Sequence, residues 1–486
     1  MVSHLLRFIF LLSMLPEVIH AQTKGDGRPN ILFILVDDLG YHDLGYTGSI
    51  FYETPNIDRL ASEGMTFTNA YAASPICSPS RAAIMTGKYP ARLNLTDYIP
   101  GNRHYGPHSD QKLASHPFKL FLDPNETTIA EALRSAGYST FFAGKWHLGE
   151  NEKDHPENHG FEINVGGNHT GHPEGGYFSP YNNPQLTDGP EGEYLTDRLT
   201  DETIKYMVQK RAQPFFAFLS FYTVHLPLQG KAEKIEKYQK KLNQIRLDGE
   251  GFSQQDQTYI KYHQDNPQYA AMVESLDENI GRLMGFLSQT GLERNTLVIF
   301  TSDNGGMATS NLAAQIPTSN APLRTGKGYL HEGGICVPLI FRLPGTIKVG
   351  STSEVPVIGT DFYPTFLAMA GLETLPEQHR DGISLQPLLT GKSMDERPLF
   401  WYYPHYSGGL GGRPSAAIRD GDFKLIYSFE TNSGELFNVK RDKEEVSDLS
   451  LKLPKKKNQL NKKLQNWIGE MDVQLPYPNP SYQPEK

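Results

Sequence analysis

The chain has 486 residues, of which 38% are apolar, enough for a sizeable core. Its formal net charge of -9 argues against a general nucleic-acid binder, so a polyanionic partner would need a locally basic cleft. Two cysteines make no disulfide framework, and the length suits either two or three average domains or one large α/β enzyme.

Residues 1–21 read as a secretory signal peptide. Arg7 precedes the apolar run Phe8-Ile9-Phe10-Leu11-Leu12, and Ala21 offers a small residue for cleavage before Gln22. The competing reading is a membrane anchor, but the run is shorter than the ~20 residues a span needs. The expected location is periplasmic or secreted after signal-peptide removal, with no membrane span. Residues 22–394 are then the expected main domain, and 395–486, where the pattern changes, a smaller C-terminal subdomain.

Apolar runs at 30–36, 139–143, 215–221, 297–301 and 337–341 look like buried parallel strands. Helical segments lie between them. Thr128-Ile129-Ala130-Glu131 is a capping box, with Gly137 as the C-terminal stop. Met272, Leu276, Ile280, Leu283 and Leu287 recur at helical spacing and predict one helix packed on the sheet. Residues 231–241 are lysine-rich and read as a surface helix. Beyond 395 the pattern predicts antiparallel strands at 416–428 and 435–439, an amphipathic helix at 455–471 and an extended Pro-rich tail from 476. Strand alternating with helix implies a doubly wound α/β sheet.

In such sheets ligands gather outside the carboxyl ends of the strands. Asp37 and Asp38 end the first run, and Lys145 and His147 follow the second. His225 follows the third, and Asp303 and Asn304 end the fourth. Each alone could be a loop residue; all at one sheet edge would be a site. Asp37, Asp38, Asp303 and Asn304 offer only oxygen, which suits calcium or magnesium rather than zinc. Capping and turn chemistry is the other reading for such residues.

Cys77 opens Cys77-Ser78-Pro79-Ser80-Arg81, just before the helix-like run 82–86. A cysteine at a helix N-terminus beside an arginine is in the setting that lowers a thiol pKa. Yet a thiol is a soft ligand among hard oxygens, where an aldehyde hydrate would fit; that mismatch argues for chemical modification of residue 77. Cys336 sits at the entry to a predicted buried strand and reads as core packing, with a bridge to Cys77 as the alternative.

The pentapeptide resembles the Cys-x-Pro-Ser-Arg signature of sulfatases, in which the cysteine is oxidised to formylglycine (3-oxoalanine). Asp37-Asp38, Gly144-Lys145-Trp146-His147-Leu148-Gly149, Asp303-Asn304-Gly305-Gly306, Gly326-Lys327 and Glu332-Gly333-Gly334 are similar to further sulfatase motifs, in the sulfatase order, over residues 29–422. The resemblance implies an alkaline-phosphatase-like α/β fold: a mixed, mostly parallel sheet between helices, with a smaller C-terminal α+β subdomain. It implies Ca2+, with Mg2+ as second choice, on Asp37, Asp38, modified Cys77, Asp303 and Asn304. A formylglycine-generating or sulfatase-maturing enzyme is the implied partner.

By the same resemblance, the hydrate at residue 77 attacks sulfur. Arg81 steadies it and the carboxylates, and Lys145 and Lys327 hold sulfate oxygens. His147 takes the proton of the second hydroxyl, and His225, with Lys327, protonates the leaving alcohol. Many sulfatases carry arginine where Cys336 stands, so that arginine's role does not carry over.

His169 and His172, in Gly167-Asn168-His169-Thr170-Gly171-His172, are the best candidates for sugar contacts, against the reading of a rigid loop. His104, His108, Tyr177, His405 and Arg413 lie in similar loops, and Asn94-Leu95-Thr96 and Asn168-His169-Thr170 match glycosylation sequons. The expected activity is sulfuric ester hydrolysis on a sulfated poly- or oligosaccharide, exo-acting, in polysaccharide degradation. The alternatives are a phosphodiesterase or phosphonate monoester hydrolase of the same superfamily, and a non-catalytic sulfated-glycan binder.

Overall fold

The computed structural model describes residues 27–101, 108–210, 213–255 and 257–483. The expected signal peptide lies outside the described residues. An eight-stranded sheet frames the molecule. Its strands in chain order are β1 (Asn30–Val36), β2 (Met65–Phe67), β3 (Ser139–Gly144), β4 (Ile163–Val165), β5 (Phe215–Phe221), β6 (Thr296–Ser302), β7 (Leu339–Arg342) and β8 (Ser351–Ser353). Their order across the sheet is β8-β2-β7-β6-β1-β5-β3-β4.

The five strands from β6 to β4 are mutually parallel. The run 337–341, expected to be parallel as well, becomes β7, and β7 is antiparallel to both β6 and β2. The cause is the connection. Residues 303–338 leave and re-enter at the same edge, with Thr301 paired to Leu339. The only α-helix on the way is the four-residue Glu332–Ile335, so the chain never crosses to the far edge and must run back down.

Both faces of the sheet are covered, which is why its strands read as unbroken apolar runs. Ile31, Phe33 and Leu35 of β1 join one core with Phe216, Phe218 and Ile299. Leu32, Ile34 and Val36 join a second core with Ala217, Leu219 and Phe300. On that second face lies the helix Pro267–Gln289, whose Met272, Leu276, Ile280, Leu283 and Leu287 are all fully buried. Burying each such side chain contributes about 1.5–3 kcal/mol relative to exposure. The Thr128–Glu131 capping box is formed, and Gly137 follows its helix at φ +89°. The lysine-rich helix Ala232–Leu242 lies at the surface, with Lys234, Lys237 and Lys241 paired to Glu274, Glu278 and Glu53.

A second, antiparallel sheet follows: β9 (Leu399–Tyr403), β10 (Ser415–Asp420), β11 (Phe423–Ser428) and β12 (Ser433–Asn438), in that order. The expected strand at 416–428 is in fact the β10–β11 hairpin, turned at Gly421 with φ +60°. The helix Pro454–Glu470 packs on this sheet through Leu460, Leu464, Trp467 and Ile468. Between the two sheets lies the helix Cys77–Thr86, every residue of which is buried. Its Ala82, Ile84 and Met85 belong to the first core, while Cys77 and Ala83 pack in a third core with Trp401 and Tyr403. Both cysteines are free, and Cys336 is a buried member of that third core.

A buried ionic knot joins the sheets. Lys424 of β11 lies 2.9 Å from Glu332 and 3.0 Å from Glu445, all three enclosed. Tyr71 donates to the other oxygen of Glu332 (2.8 Å) and is itself bonded by Arg419. Removing one partner strands the others' charge without water. Lys424→Ala is therefore expected to destabilise the fold by ~3–5 kcal/mol. Equilibrium denaturation checks this; a loss below about 1 kcal/mol would contradict it.

Candidate active site

The strand ladder runs one residue past the carboxyl edge, and this sets the site's backbone. Asp37 N donates to Thr223 O (3.0 Å), Asp303 N to Val36 O (3.1 Å) and Lys145 N to Ser220 O (2.9 Å). Gly144, at φ +100°, brings its chain so close that a Cβ would sit 1.8 Å from Ser220 O. Asp38 and His147 adopt φ of +60° and +61°, a strained region for side-chain-bearing residues. All four strand ends named by the sequence thus converge on one edge.

Three cations face three carboxylates there. Lys145 Nζ is 2.6 Å from Asp37, Lys327 Nζ is 2.7 Å from Asp38 and Arg81 Nε is 2.8 Å from Asp303. Arg81 also donates to Lys145 O (2.6 Å) and Ser220 Oγ (2.7 Å), and lies 3.8 Å from Asp37. Asn304 Nδ2 donates to Asp38 (2.8 Å). All seven side chains are buried. Cys77 Sγ joins them: it and the oxygens of Asp37 and Asp303 lie within 4.8 Å of one another, as do Cys77, Asp38 and His225.

These residues fit a hard divalent cation. Asp37 Oδ1 and Asn304 Oδ1 are buried without a hydrogen-bond partner. Burial pushes Asp37 up to about 8; Lys145 opposes this, while Asp303 and Asp38 add to it. A cation among these oxygens would reverse that shift. Burial also disfavours charge on Asp38, but the neighbouring lysines, Lys327 first and Lys145 after it, hold this carboxylate below its ordinary range. Burial opposes charge on Lys327 as well, but Asp38, Cys77 and Asp37 together outweigh it and hold this lysine above its ordinary value.

The activated-thiol expectation fails. Cys77 does open its helix, but burial pushes the thiol up, and Lys145 and Lys327 do not compensate. Arg81 spends its guanidinium on Asp303 instead.

His147 lies 2.5 Å from Ile99 O through Nε2, so that nitrogen carries the proton, while buried Nδ1 has no partner. Burial, followed by Lys145, holds its pKa well below the ordinary value, so the ring is neutral. Gly171 lies against this ring: a Cβ there would be 2.6 Å from Cε1. His225 Nδ1 donates to Leu226 O (2.8 Å), leaving Nε2 3.7 Å from Asp38. Burial and then Lys327 lower its pKa as well. Tyr177 OH, 2.6 Å from Tyr222 O and 2.9 Å from His225 O, fastens this turn from behind.

Above lies a cavity of about 620 Å³ that reaches Cys77, His147, His225 and Lys327. His169 and His172 are exposed on its wall, with His169 3.9 Å from Glu174. His108 lines it too, along with Tyr98, Gln111, Met307, Tyr406 and Leu410, which no motif marks. They arrive on loops from distant parts of the chain, so only the tertiary fold reveals them. Of the other loop residues, Tyr177 and His405 are buried, Arg413 pairs with Glu430, and His104 lies outside the described residues. Asn168 is buried and bonded to Thr170 and Asn183, which closes that sequon to a glycan; Asn94 is exposed. A larger groove of about 920 Å³ lies elsewhere, and pairs such as Lys231–Asp197 already neutralise charges along it.

The sulfatase family model matches residues 29–372. The chain belongs to the sulfatase family. Residues 325–474 also match the model of the N-sulphoglucosamine sulphohydrolase C-terminal region. This sulfatase is 32% identical to a sulfatase of Formosa agariphila over 95% of its own length and 92% of the relative's. It is 32% identical to the N-acetylgalactosamine-6-sulfatase of Sus scrofa, over 84% and 73%. Among solved structures, Ps i-CgsB superposes with a TM-score of 0.72 at 29% identity, over 91% of this chain and 93% of that one. Ps i-CgsB has also been solved in complex with k-i-k-neocarrahexaose.

Because Gly171 leaves no room beside His147, Gly171→Ala is expected to lower turnover of an aryl sulfate by ~10²-fold through misplacement of the ring. Steady-state kinetics and a thermal melt check this together; unchanged kcat would show that the contact does not position His147.

Proposed function

We propose that this sulfatase releases sulfate from a sulfated carbohydrate, with residue 77 matured to formylglycine and a calcium ion held by Asp37, Asp38, residue 77, Asp303 and Asn304. One observation carries the reading. Three buried carboxylates and an unpartnered amide oxygen meet Cys77 at one sheet edge, beneath a cavity large enough for a sugar. An all-oxygen set of this size suits the larger, flexible calcium shell better than octahedral magnesium.

When present, the cation polarises sulfate oxygens, and formylglycine provides the nucleophilic oxygen. The chain's own side chains supply the rest. Lys145 and Lys327 carry positive charge to the sulfate, and Asp37 and Asp38 balance it in the resting site. Arg81, tied to Asp303 and to the Lys145 carbonyl, fixes both the carboxylate and the lysine. His147 is neutral with Nε2–H committed to Ile99, so Nδ1 is the atom that takes a proton. His225 is neutral at rest. A bound anionic ester raises its pKa, so that Nε2, with Lys327, delivers a proton to the departing alcohol.

His169 and His172 are the proposed sugar contacts, from the cavity wall. A cavity that ends at residue 77 suits an exo-acting enzyme at a chain end. The named relatives, an N-acetylgalactosamine-6-sulfatase and an enzyme solved with a neocarrahexaose, support a carbohydrate. Maturation needs a formylglycine-generating or sulfatase-maturing enzyme. The mature protein is periplasmic or secreted, exported by a signal peptide at 1–21 that is then removed; a catalytic domain spans 22–394 and a C-terminal subdomain spans 395–486. No described helix is long and apolar enough to cross a membrane.

Cys77→Ala should reduce free sulfate release from a sulfated saccharide by ~10⁴-fold or more, as loss of a nucleophile does. Mass spectrometry of the peptide containing residue 77 should show aldehyde in place of thiol. Active enzyme carrying only intact thiol would overturn the reading, and a faster rate on an aryl phosphodiester than on an aryl sulfate would redirect it. Stripping with a chelator should abolish turnover, and calcium should restore more of it than magnesium; full activity in the stripped protein would exclude the metal role.

A further inference from the structure

The C-terminal tail takes no part in the chemistry above and lies beyond residue 474, where the family match ends. It is nonetheless firmly attached, and what it attaches to is the cavity wall. Tyr477–Pro478 forms an antiparallel ladder with Leu113–Ala114. Asn479, 7% exposed, bonds on every side. Its backbone N donates to Lys112 O (3.0 Å), and its amide donates to His108 O (2.8 Å) and Gln111 O (2.7 Å). Its Oδ1 accepts from Ser481 N (2.9 Å), and Gln483 N donates to Ser109 O (2.7 Å).

The held segment matters because His108 and Gln111 line the same cavity as Cys77 and Lys327. Tyr406, another lining residue, accepts from Leu113 N (3.2 Å), so the segment is gripped by the tail on one flank and by the C-terminal sheet's loop on the other. Residues 108–114 contain one two-residue strand and no helix of their own. Within the segment a single turn bond, Gln111 N to His108 O (3.0 Å), gives local shape, so its position against the cavity depends on the outside partners.

We infer that the tail, through Asn479, is a specificity-determining element: it fixes His108 and Gln111 as the wall that contacts the sugar beyond the scissile sulfate. This rests on the sulfate-ester reading of the cavity. Asn479 is a positioning residue, since it touches the wall and not the substrate. A small aryl sulfate occupies only the inner end of the cavity and has no use for this wall; a saccharide has.

The test compares the full chain with Asn479→Ala and with Asn479→Asp, which keeps the volume but turns a carboxylate toward two carbonyls. Each is assayed on a sulfated oligosaccharide and on an aryl sulfate, with amide exchange followed across 109–114. Expected are faster exchange there and an about tenfold higher KM for the oligosaccharide at unchanged kcat, the scale of one or two lost hydrogen bonds. Aryl sulfate kinetics should stay within about twofold of the parent. The double variant Asn479→Ala/Gln111→Ala should lose less on the oligosaccharide than the two single losses added together, because the two act through one wall. Equal losses on both substrates would mean a general structural role and overturn the inference. So would faster exchange with an unchanged oligosaccharide KM. If the parent released sulfate from neither substrate, the functional reading itself would fall, which is a different result from release that Asn479 leaves untouched.

Discussion

Three cations and three carboxylates share one enclosed sheet edge, each paired with a group of opposite charge. Coulomb attraction between such pairs is strong at low dielectric, but so is the cost of removing each ion from water. The balance holds only if the geometry is nearly fixed. Much of the local backbone serves that end. Gly144 lets β3 touch Ser220, so that Lys145 reaches Asp37. Asp38 and His147 accept left-handed conformations. Arg81 binds both a carboxylate and the carbonyl of its lysine neighbour. The same tension explains the spare capacity of the site: Asp37 is pushed toward protonation by burial, and two oxygens remain without partners.

The second sheet is part of this arrangement and not an appendage. The helix that presents Cys77 has no wet face, because the central sheet's core takes one side and Trp401 and Tyr403 take the other. Glu332, which the sequence marks only as a member of a motif, turns out to be a strut. It joins the segment following Lys327 to Lys424 of the outer sheet, at 2.9 Å. The lysine at the site and the lysine in the knot are thus held by opposite ends of one short stretch.

What could be read from the residues follows from how local the cause is. β1 and β5 match the apolar runs at both ends, since a strand buried on two faces has nothing polar until it stops. The capping box and the stripe of the long helix are equally local. The polar groups at strand ends were legible because one topological rule brings them to one edge. The direction of β7 was not, since it depends on where residues 303–338 go rather than on the strand itself. β9, with the run Leu399-Phe400-Trp401-Tyr402-Tyr403, shows neither period and is sorted only by its neighbours. The thiol's environment was misread for a related reason: helix position and a nearby arginine are visible in sequence, but full burial is not. Tyr98, Gln111, Tyr406 and Leu410 share a cavity without sharing any pattern.

The excursion between β6 and β7 carries Asp303 and Asn304 at its start, Lys327 further along and Glu332 near its end. Any lengthening or shortening there disturbs the oxygen cluster, the Lys327–Asp38 pair and the knot together. Most of the cavity wall is built otherwise, from 98–101, 108–111, 169–174 and 406–410, each supplying one patch. The architecture is therefore modular in its capacity for change. Drift in the wall can retune which substrate is accepted, one loop at a time, while the excursion over the sheet edge tolerates almost no such experiment.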